Sequence, residues 1–592
     1  MSCKWVLAEP DSGAVAALAR DAGFHPLIAR LLVIRGISKA ADADVFLSCD
    51  LSSLSDPFLF KDMAPAVDRI RRAIVQAEKI VVYGDYDVDG ITGAALLYHV
   101  LKHAGANVHT YIPDRLSEGY GLHAQALKHI KDGGASLVIS VDCGISAFRE
   151  ADEAASLDLD LIITDHHEMT GVASPKGPAS GEKDRNLPRA RAVLHPLLLV
   201  DGASDALRER VSSLTGVGMA FKLAQALGGR GQGGNTLESY LDLVTLGTVA
   251  DVGSITGENR VLVKHGLELL SQDTPAQRPG IAALKNVSGV AGRKISAGTV
   301  GFTLAPRINA SGRLERADIA LRLFTTDSSS EALELARTLD AVNKERQTVE
   351  ETILEEARKA CRGLDLSATG ALVLASGQWH SGVIGIVASK LVDEFYRPAA
   401  LISVKDGVGK GSARSIPGFD LYAGLAACSD LLLGFGGHRY AAGFSINEEN
   451  IPRLRERLGG LVMDALGAAG FVRTISIDGP VALSDLTQDF MHEMERLAPF
   501  GLGNPEPRLG VRGLTVLSSR IVGNKHLKFR VKQDHGAALD AIAFNRSALL
   551  GKQVRDGARL AAVFTPRLTT WNGTTNVELE IRDIKTDREH SH

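Results

Sequence analysis

Three aspartates at every second position, Asp85, Asp87 and Asp89, follow a short apolar run from Ile80 to Tyr83. If the backbone stays extended through them, all three carboxylates leave from one side. Like charges gathered at the end of a buried strand need a counter-charge, and a hard divalent cation held by oxygen ligands supplies one. Gly84 and Gly90 bracket the trio and let the chain turn sharply at both ends. A lone Asp-x-Asp is as easily a solvated acidic loop, so a metal site requires further ligands at equivalent places.

Further ligands recur by one architectural rule. Residues 68 to 77 read as a helix, Ile80 to Tyr83 as a strand, and Gly93 to Ala104 as a helix starting after the aspartates. Val108 to Ile112, Ser136 to Val141 and Asp160 to Thr164 are further apolar, β-prone runs. Strands separated by helical patterns predict a mostly parallel sheet covered on both faces. Ligands of such sheets sit outside the carboxyl ends of the strands. Asp142 stands at the end of one strand and Asp165-His166-His167 at the end of another, matching the aspartate trio. In isolation Asp142 is a cap or turn residue and a His pair is structural; three motifs placed by the same rule favour a metal site. Asp251, after the helical runs 214–227 and 237–246, could complete its shell.

The length of 592 residues exceeds what one core supports and predicts three or four domains. No apolar run approaches a membrane span, and the first residues carry no secretory h-region. Cys3, Cys49, Cys143, Cys361 and Cys428 are scattered without paired spacing, which argues against zinc ribbons or a disulfide framework and for a cytoplasmic protein. With a net charge of −4, a polyanion would have to bind a local basic groove rather than a global field.

Residues 1–67 read as an N-terminal extension packed on the first α/β domain, 68–329. The stretch 171–191, rich in Gly, Pro and Ser, reads as an exposed loop. Residues 330–362 contain no Gly or Pro and carry apolar residues at helical spacing, so one helix of up to ~50 Å joins two domains. A second α/β unit, 363–472, holds three segments rich in Gly, Ser and His: 378–383, 409–415 and 434–443. Ser412 with Arg414 suits a phosphate, although a glycine-rich turn with a solvent-facing Arg explains the pattern equally. From 473 to 592 short β-runs predict a small OB-like barrel, a common single-strand platform. In His526–Lys532, Leu527, Phe529 and Val531 alternate with Lys528, Arg530 and Lys532, a buried face against a basic stripe.

Taken in order, GDYDVDG (84–90), IPDRLSEGYG (112–121), DCG (142–144), DHH (165–167), ADV (250–252), PRINASGRL (306–314), QWHSGVIG (378–385), GSARS (411–415) and GGH with AAGF (436–444) form a specific set. The chain resembles the DHH phosphoesterase superfamily and, within it, the RecJ family of single-strand-specific 5′→3′ DNA exonucleases. The resemblance implies a DHH domain, a connecting helix, a DHHA1-type domain and an OB-type domain, with the active site between the DHH and DHHA1 domains. It implies that Asp87, Asp89, Asp142, His166 and Asp251 hold one or two Mn²⁺ or Mg²⁺ ions, that Asp142 bridges, and that Asp85 joins them. His167 would face the scissile phosphate. Arg115, Arg307, Ser412, Arg414 and His438 would contact phosphates and the 5′ end, with Lys528 and Arg530 on the barrel.

Three places depart from the family pattern: Tyr83 stands where related phosphatases place a His, His195 precedes Pro196 where an Asn is expected, and Gly253-Ser254-Ile255 follows ADV. The expected activity is metal-dependent exonucleolytic hydrolysis of single-stranded DNA in repair and recombination, fed by a helicase or a single-strand-binding protein. The competing readings are a phosphodiesterase for short oligonucleotides or cyclic dinucleotides, which leaves the barrel without a purpose, and a non-catalytic single-strand binder, which leaves the acids without one.

Overall fold

The computed structural model describes residues 3–114, 118–169, 187–228, 236–274, 277–314, 318–523, 525–534, 536–546, 553–571 and 573–586. Arg115 and most of the Gly/Pro-rich loop lie outside them. The chain divides into two compact units, Leu54–Phe471, and Met1–Ser53 together with Val472–His592. It opens with a short strand, β1 (Lys4–Leu7), and the helices Ser12–Ala22, Pro26–Ile34 and Ala40–Ser48.

In the unit Leu54–Phe471 the first sheet contains β2 (Lys79–Gly84), β3 (Asn107–Tyr111), β4 (Ala135–Val141), β5 (Asp160–Thr164) and β6 (Ala192–Leu194). Their order is β3-β2-β4-β5-β6 and every pairing is parallel. β2 and β4 are almost wholly buried, as strands covered on both faces must be. The helix after the aspartates spans Val88–His103, five residues earlier than expected, because Asp87 caps it and ends the extended stretch. The trio is therefore a strand end, a cap and a first-turn residue, not one extended row.

The long helix spans Ser329–Arg362, with Ser328 Oγ accepting from Glu331 N at 3.3 Å. It is no bare spacer: Ala336, Leu339, Val342, Ile353 and Leu354 are buried. Beyond it lie β7 (Leu372–Ser376), the helix Ile384–Phe395, β8 (Ala399–Lys405), β9 (Val408–Arg414), β10 (Leu432–Gly437) and β11 (Ala441–Asn447). They form a sheet ordered β10-β11-β9-β8-β7 in which only β7–β8 is parallel. Residues 409–414, expected as a candidate turn, are the strand β9 itself.

The other unit contains β12 (Thr474–Ile477), β13 (Gly479–Pro480), β14 (Leu509–Val522), β15 (His526–Gln533), β16 (Leu539–Ala543), β17 (Arg559–Trp571) and β18 (Thr574–Thr586). The order β14-β15-β16-β18-β17, with β17 returning to β14, closes a five-stranded barrel. Leu527, Phe529 and Val531 are buried as the alternation requires. The N-terminal segment is part of this unit: β1 pairs in parallel with β12, and Leu18, Ile28, Leu31 and Leu32 share a core with Phe490, Leu509, Phe529 and Phe564. A four-residue strand carries no sign of its partner, so the sequence pattern could not place it.

Candidate metal centre

Each acid of the cluster is placed by a different local device. Asp142 follows β4 with a left-handed φ of +64°, uncommon outside glycine. Asp87 accepts hydrogen bonds from the backbone N–H of Asp89 (2.9 Å) and Gly90 (3.1 Å). Asp89 is fully buried and meets the amino end of the helix Gly216–Ala226: Oδ2 accepts from Gly216 N at 2.6 Å and Oδ1 from Val217 N at 3.0 Å. Asp251 caps the carboxyl end of the helix Leu241–Ala250. Close approach explains two glycines: a Cβ at Gly216 would stand 2.6 Å from Asp142 Cβ, and one at Gly247 would stand 2.7 Å from Asp89 Oδ1.

His166 Nε2 is the convergence point, 3.0 Å from Asp142 Oδ1 and 3.7 Å from both Asp89 Oδ2 and Asp251 Oδ2. Despite the 3.0 Å separation, Asp142 Oδ1 and His166 Nε2 are buried without a hydrogen-bond partner, because proximity without donor geometry is no hydrogen bond. Both lone-pair sets remain uncommitted. Asp85, Asp87 and Asp142 also bring one oxygen each within 4.8 Å of one another. Asp85, Asp87, Asp89, Asp142, His166, His167 and Asp251 are thus gathered at one end of the sheet.

The electrostatics fit a cation. Burial, then the charges of Asp251 and Asp87, push Asp89 well above the usual carboxylate range, and burial with Asp89 does the same to Asp142. Burial and Asp87 raise Asp251 to about 7. Burial and the neighbouring His167 lower His166 to about 4, keeping its ring neutral at pH 7. Burial disfavours charge on His167, but Asp165, bonded to its Nδ1 at 2.8 Å, raises it to about 9.

Asp165, Tyr120 and His195 are supporting residues absent from the expected set. Asp165 accepts from the backbone N–H of His166 and His167 and from Ile145 N, so it orients the His pair instead of facing a cation. The Tyr120 hydroxyl lies 3.0 Å from His167 Nδ1. His195 accepts from Leu197 N at Nδ1, which leaves Nε2–H to donate to the His167 carbonyl at 2.9 Å. Its position before Pro196 was the only sequence signal. Tyr83 sends its hydroxyl to the Gly121 carbonyl and stacks on Tyr111, away from the cluster.

The expected substrate residues divide. Arg414 Nη1 donates to Ser412 Oγ at 3.1 Å, and no carboxylate pairs with Arg414 among the described residues. Ser412, Lys410, Ser381 and Gly436 line a cavity of about 460 Å³. His438, in the turn between β10 and β11, has Nδ1 3.5 Å from Glu168 Oε2, directly after the His pair. Arg307 is held by Asp340 at 2.9 Å and the Thr303 carbonyl at 2.5 Å. Two residues of the expected basic stripe are neutralised by register: Lys528 meets Glu578 (3.0 Å) and Asp540 (3.4 Å), and Arg530 meets Asp540 (3.3 Å).

Comparison with known proteins adds names to this geometry. Residues 79–248 match the N-terminal domain of the DHH family, 368–464 the DHHA1 domain, and 477–583 the RecJ OB domain. The chain is 40% identical over 584 residues to the single-stranded-DNA-specific exonuclease RecJ of Bacillus subtilis, covering 98% of this chain and 70% of that protein. It is 34% identical over 530 residues to the protein of that name from Thermus thermophilus, covering 89% and 71%. The crystal structure of Thermus thermophilus RecJ in complex with Mn²⁺ superposes with a TM-score of 0.79 at 30% identity, covering 98% of this chain and 79% of that one. The corresponding Mg²⁺ complex gives 0.74 at 29%, covering 98% and 78%.

Proposed function

The chain belongs to the RecJ family, and on that premise we propose that it removes nucleotides from the 5′ end of single-stranded DNA at the cluster converging on His166 and Asp142. The protein is a metal-dependent, single-stranded-DNA-specific exonuclease with Mn²⁺ or Mg²⁺ as cofactor. The observation that carries the residue assignment is the pair of uncommitted buried atoms, Asp142 Oδ1 and His166 Nε2, 3.0 Å apart amid four further carboxylates.

In this reading Asp87, Asp89, Asp142, His166 and Asp251, with Asp85 beside them, would hold one or two ions. The mixed nitrogen and oxygen donors suit Mn²⁺ somewhat better than Mg²⁺. When bound, the cation supplies Lewis-acid activation of the phosphodiester and of the attacking water. The chain's own groups do the rest. Asp165 fixes the Nδ1 proton of His167 and so orients its ring toward the scissile phosphate. Ser412, Arg414 and His438 position the strand's phosphates from the DHHA1 side. A helicase or a single-strand-binding protein provides the single strand. No helix among the described residues is long and apolar enough to cross a membrane, and the reading places the enzyme with DNA in the cytoplasm.

Digestion of 5′- and 3′-labelled single-stranded and duplex DNA with Mn²⁺, Mg²⁺ or EDTA tests polarity, strand preference and metal dependence together. Release of the 5′ label from single strands only, abolished by EDTA, is the expected result. Release of the 3′ label first would overturn the polarity.

A further inference from the structure

We propose that Phe302 stacks against a base of the single strand as the strand approaches the metal cluster. The inference rests on the exonuclease reading and adds a substrate-binding residue to it. Phe302 is 89% exposed, whereas Val300 and Leu304 on the same turn are buried. That turn, Val300–Leu304, is a π-helical insertion ahead of the helix Ala305–Leu314. Such insertions are rare, are frequent at functional sites, and re-aim the side chains they carry.

Its location ties it to the cluster. A Cβ on Gly301 would stand 3.8 Å from Val249, two residues before Asp251. Gly301, Ala305, Pro306 and Asn309 line a cavity of about 150 Å³ with Ala250, Arg346 and Ile386. Phe302 directly follows Gly301, which lines that cavity, and its own side chain is turned to solvent. At the far end of the same helix, a Cβ on Gly312 would lie 2.9 Å from the carbonyl of Tyr86, between Asp85 and Asp87. One helix therefore borders the cluster from the Asp251 side to the Asp85 side, with the exposed ring at its head.

The cavity carries a donor suited to a nucleotide. Arg346 is buried, with Nη1 on Glu350 at 2.7 Å and Nη2 on Asn343 at 3.1 Å, and its Nε has no partner. An unpaired buried N–H opening on that cavity suits a sugar or phosphate oxygen of the strand. Stacking accepts any base because every base presents a π face, which is what an enzyme degrading arbitrary sequence needs.

The test measures kcat and KM on single-stranded oligonucleotides in Mn²⁺, for the wild type, Phe302→Ala and Phe302→Trp, with an abasic site scanned along the substrate. Phe302→Ala is expected to raise KM roughly tenfold, with kcat changed by less than about twofold. Phe302→Trp is expected to keep KM near the wild-type value. The wild type is expected to lose affinity when the abasic site falls at one position, and Phe302→Ala to lose that dependence. Unchanged KM with an unchanged abasic profile would overturn the proposal and leave the ring to a protein partner. Absence of single-strand hydrolysis by the wild type would instead sink the exonuclease reading.

Discussion

The acidic end of the first sheet and the outer face of the barrel treat charge in opposite ways. Around His166, the carboxylates of Asp89, Asp142 and Asp251 are packed together, and no Lys or Arg pairs with these three among the described residues. On the barrel, Lys528 and Arg530 are matched by Asp540 and Glu578, while Arg567 and Arg582 share Glu506 and Glu580. Buried like charge without compensation is costly and persists where a ligand repays it. Matched charge on a surface is structurally near-neutral. Lys222 and Glu258 form the intermediate case, fully buried yet paired at 3.0 Å.

The contrast predicts a ranked series. Asp142→Ala should lower kcat/KM by several kcal/mol of transition-state stabilisation, on the order of 10³-fold or more, while the circular dichroism spectrum stays native. Wild-type rates in that variant would end the metal-centre assignment. Lys222→Met should cost about 3–5 kcal/mol in urea unfolding, because it strands a buried carboxylate.

Asp251→Asn sharpens the comparison through pH. Asp251 titrates near 7 when folded and near 3.9 when unfolded, so the folded state binds the extra proton between these values. Its stabilising contribution is present at low pH and lost as pH rises toward 7. In EDTA, Asp251→Asn should therefore match the wild type near pH 4 and exceed it by about 1–3 kcal/mol above pH 7. A difference independent of pH would remove Asp251 from the repelling set. The smallest effect belongs to the barrel. Asp540→Asn with Glu578→Gln should change stability by less than about 1 kcal/mol and tighten single-strand binding with a steeper salt dependence. Unaltered binding would show that Lys528 and Arg530 take no part in it.

Much of this was legible in sequence because apolar periodicity and the strand-end rule act locally. β2, β4 and β5 lie where their apolar runs predicted, and Asp85, Asp142 and His166 follow their carboxyl ends. The helix from Ser329 was visible because no Gly or Pro interrupts it. What escaped depends on contacts between distant segments. The start of the helix at Val88 was masked by Gly90, and the sequence does not reveal that Asp87 caps it. The neutralised part of the stripe exists only through the register that sets Asp540 beside Arg530 and Glu578 beside Asp540. Tyr120 was within a recognised segment, but nothing in its type announced a hydroxyl aimed at His167.

The pairing of β1 with β12 has a consequence for the order in which the molecule is made. Chains emerge from the ribosome amino end first, at about 5–20 residues per second. The helix Pro26–Ile34, whose Leu27, Ile28, Leu31 and Leu32 are buried in the finished core, appears long before the barrel strands that cover it. The unit Leu54–Phe471 has all its segments available first. The helix Pro26–Ile34 must therefore wait for the barrel strands, holding apolar surface open for chaperones or for misassembly in the interval.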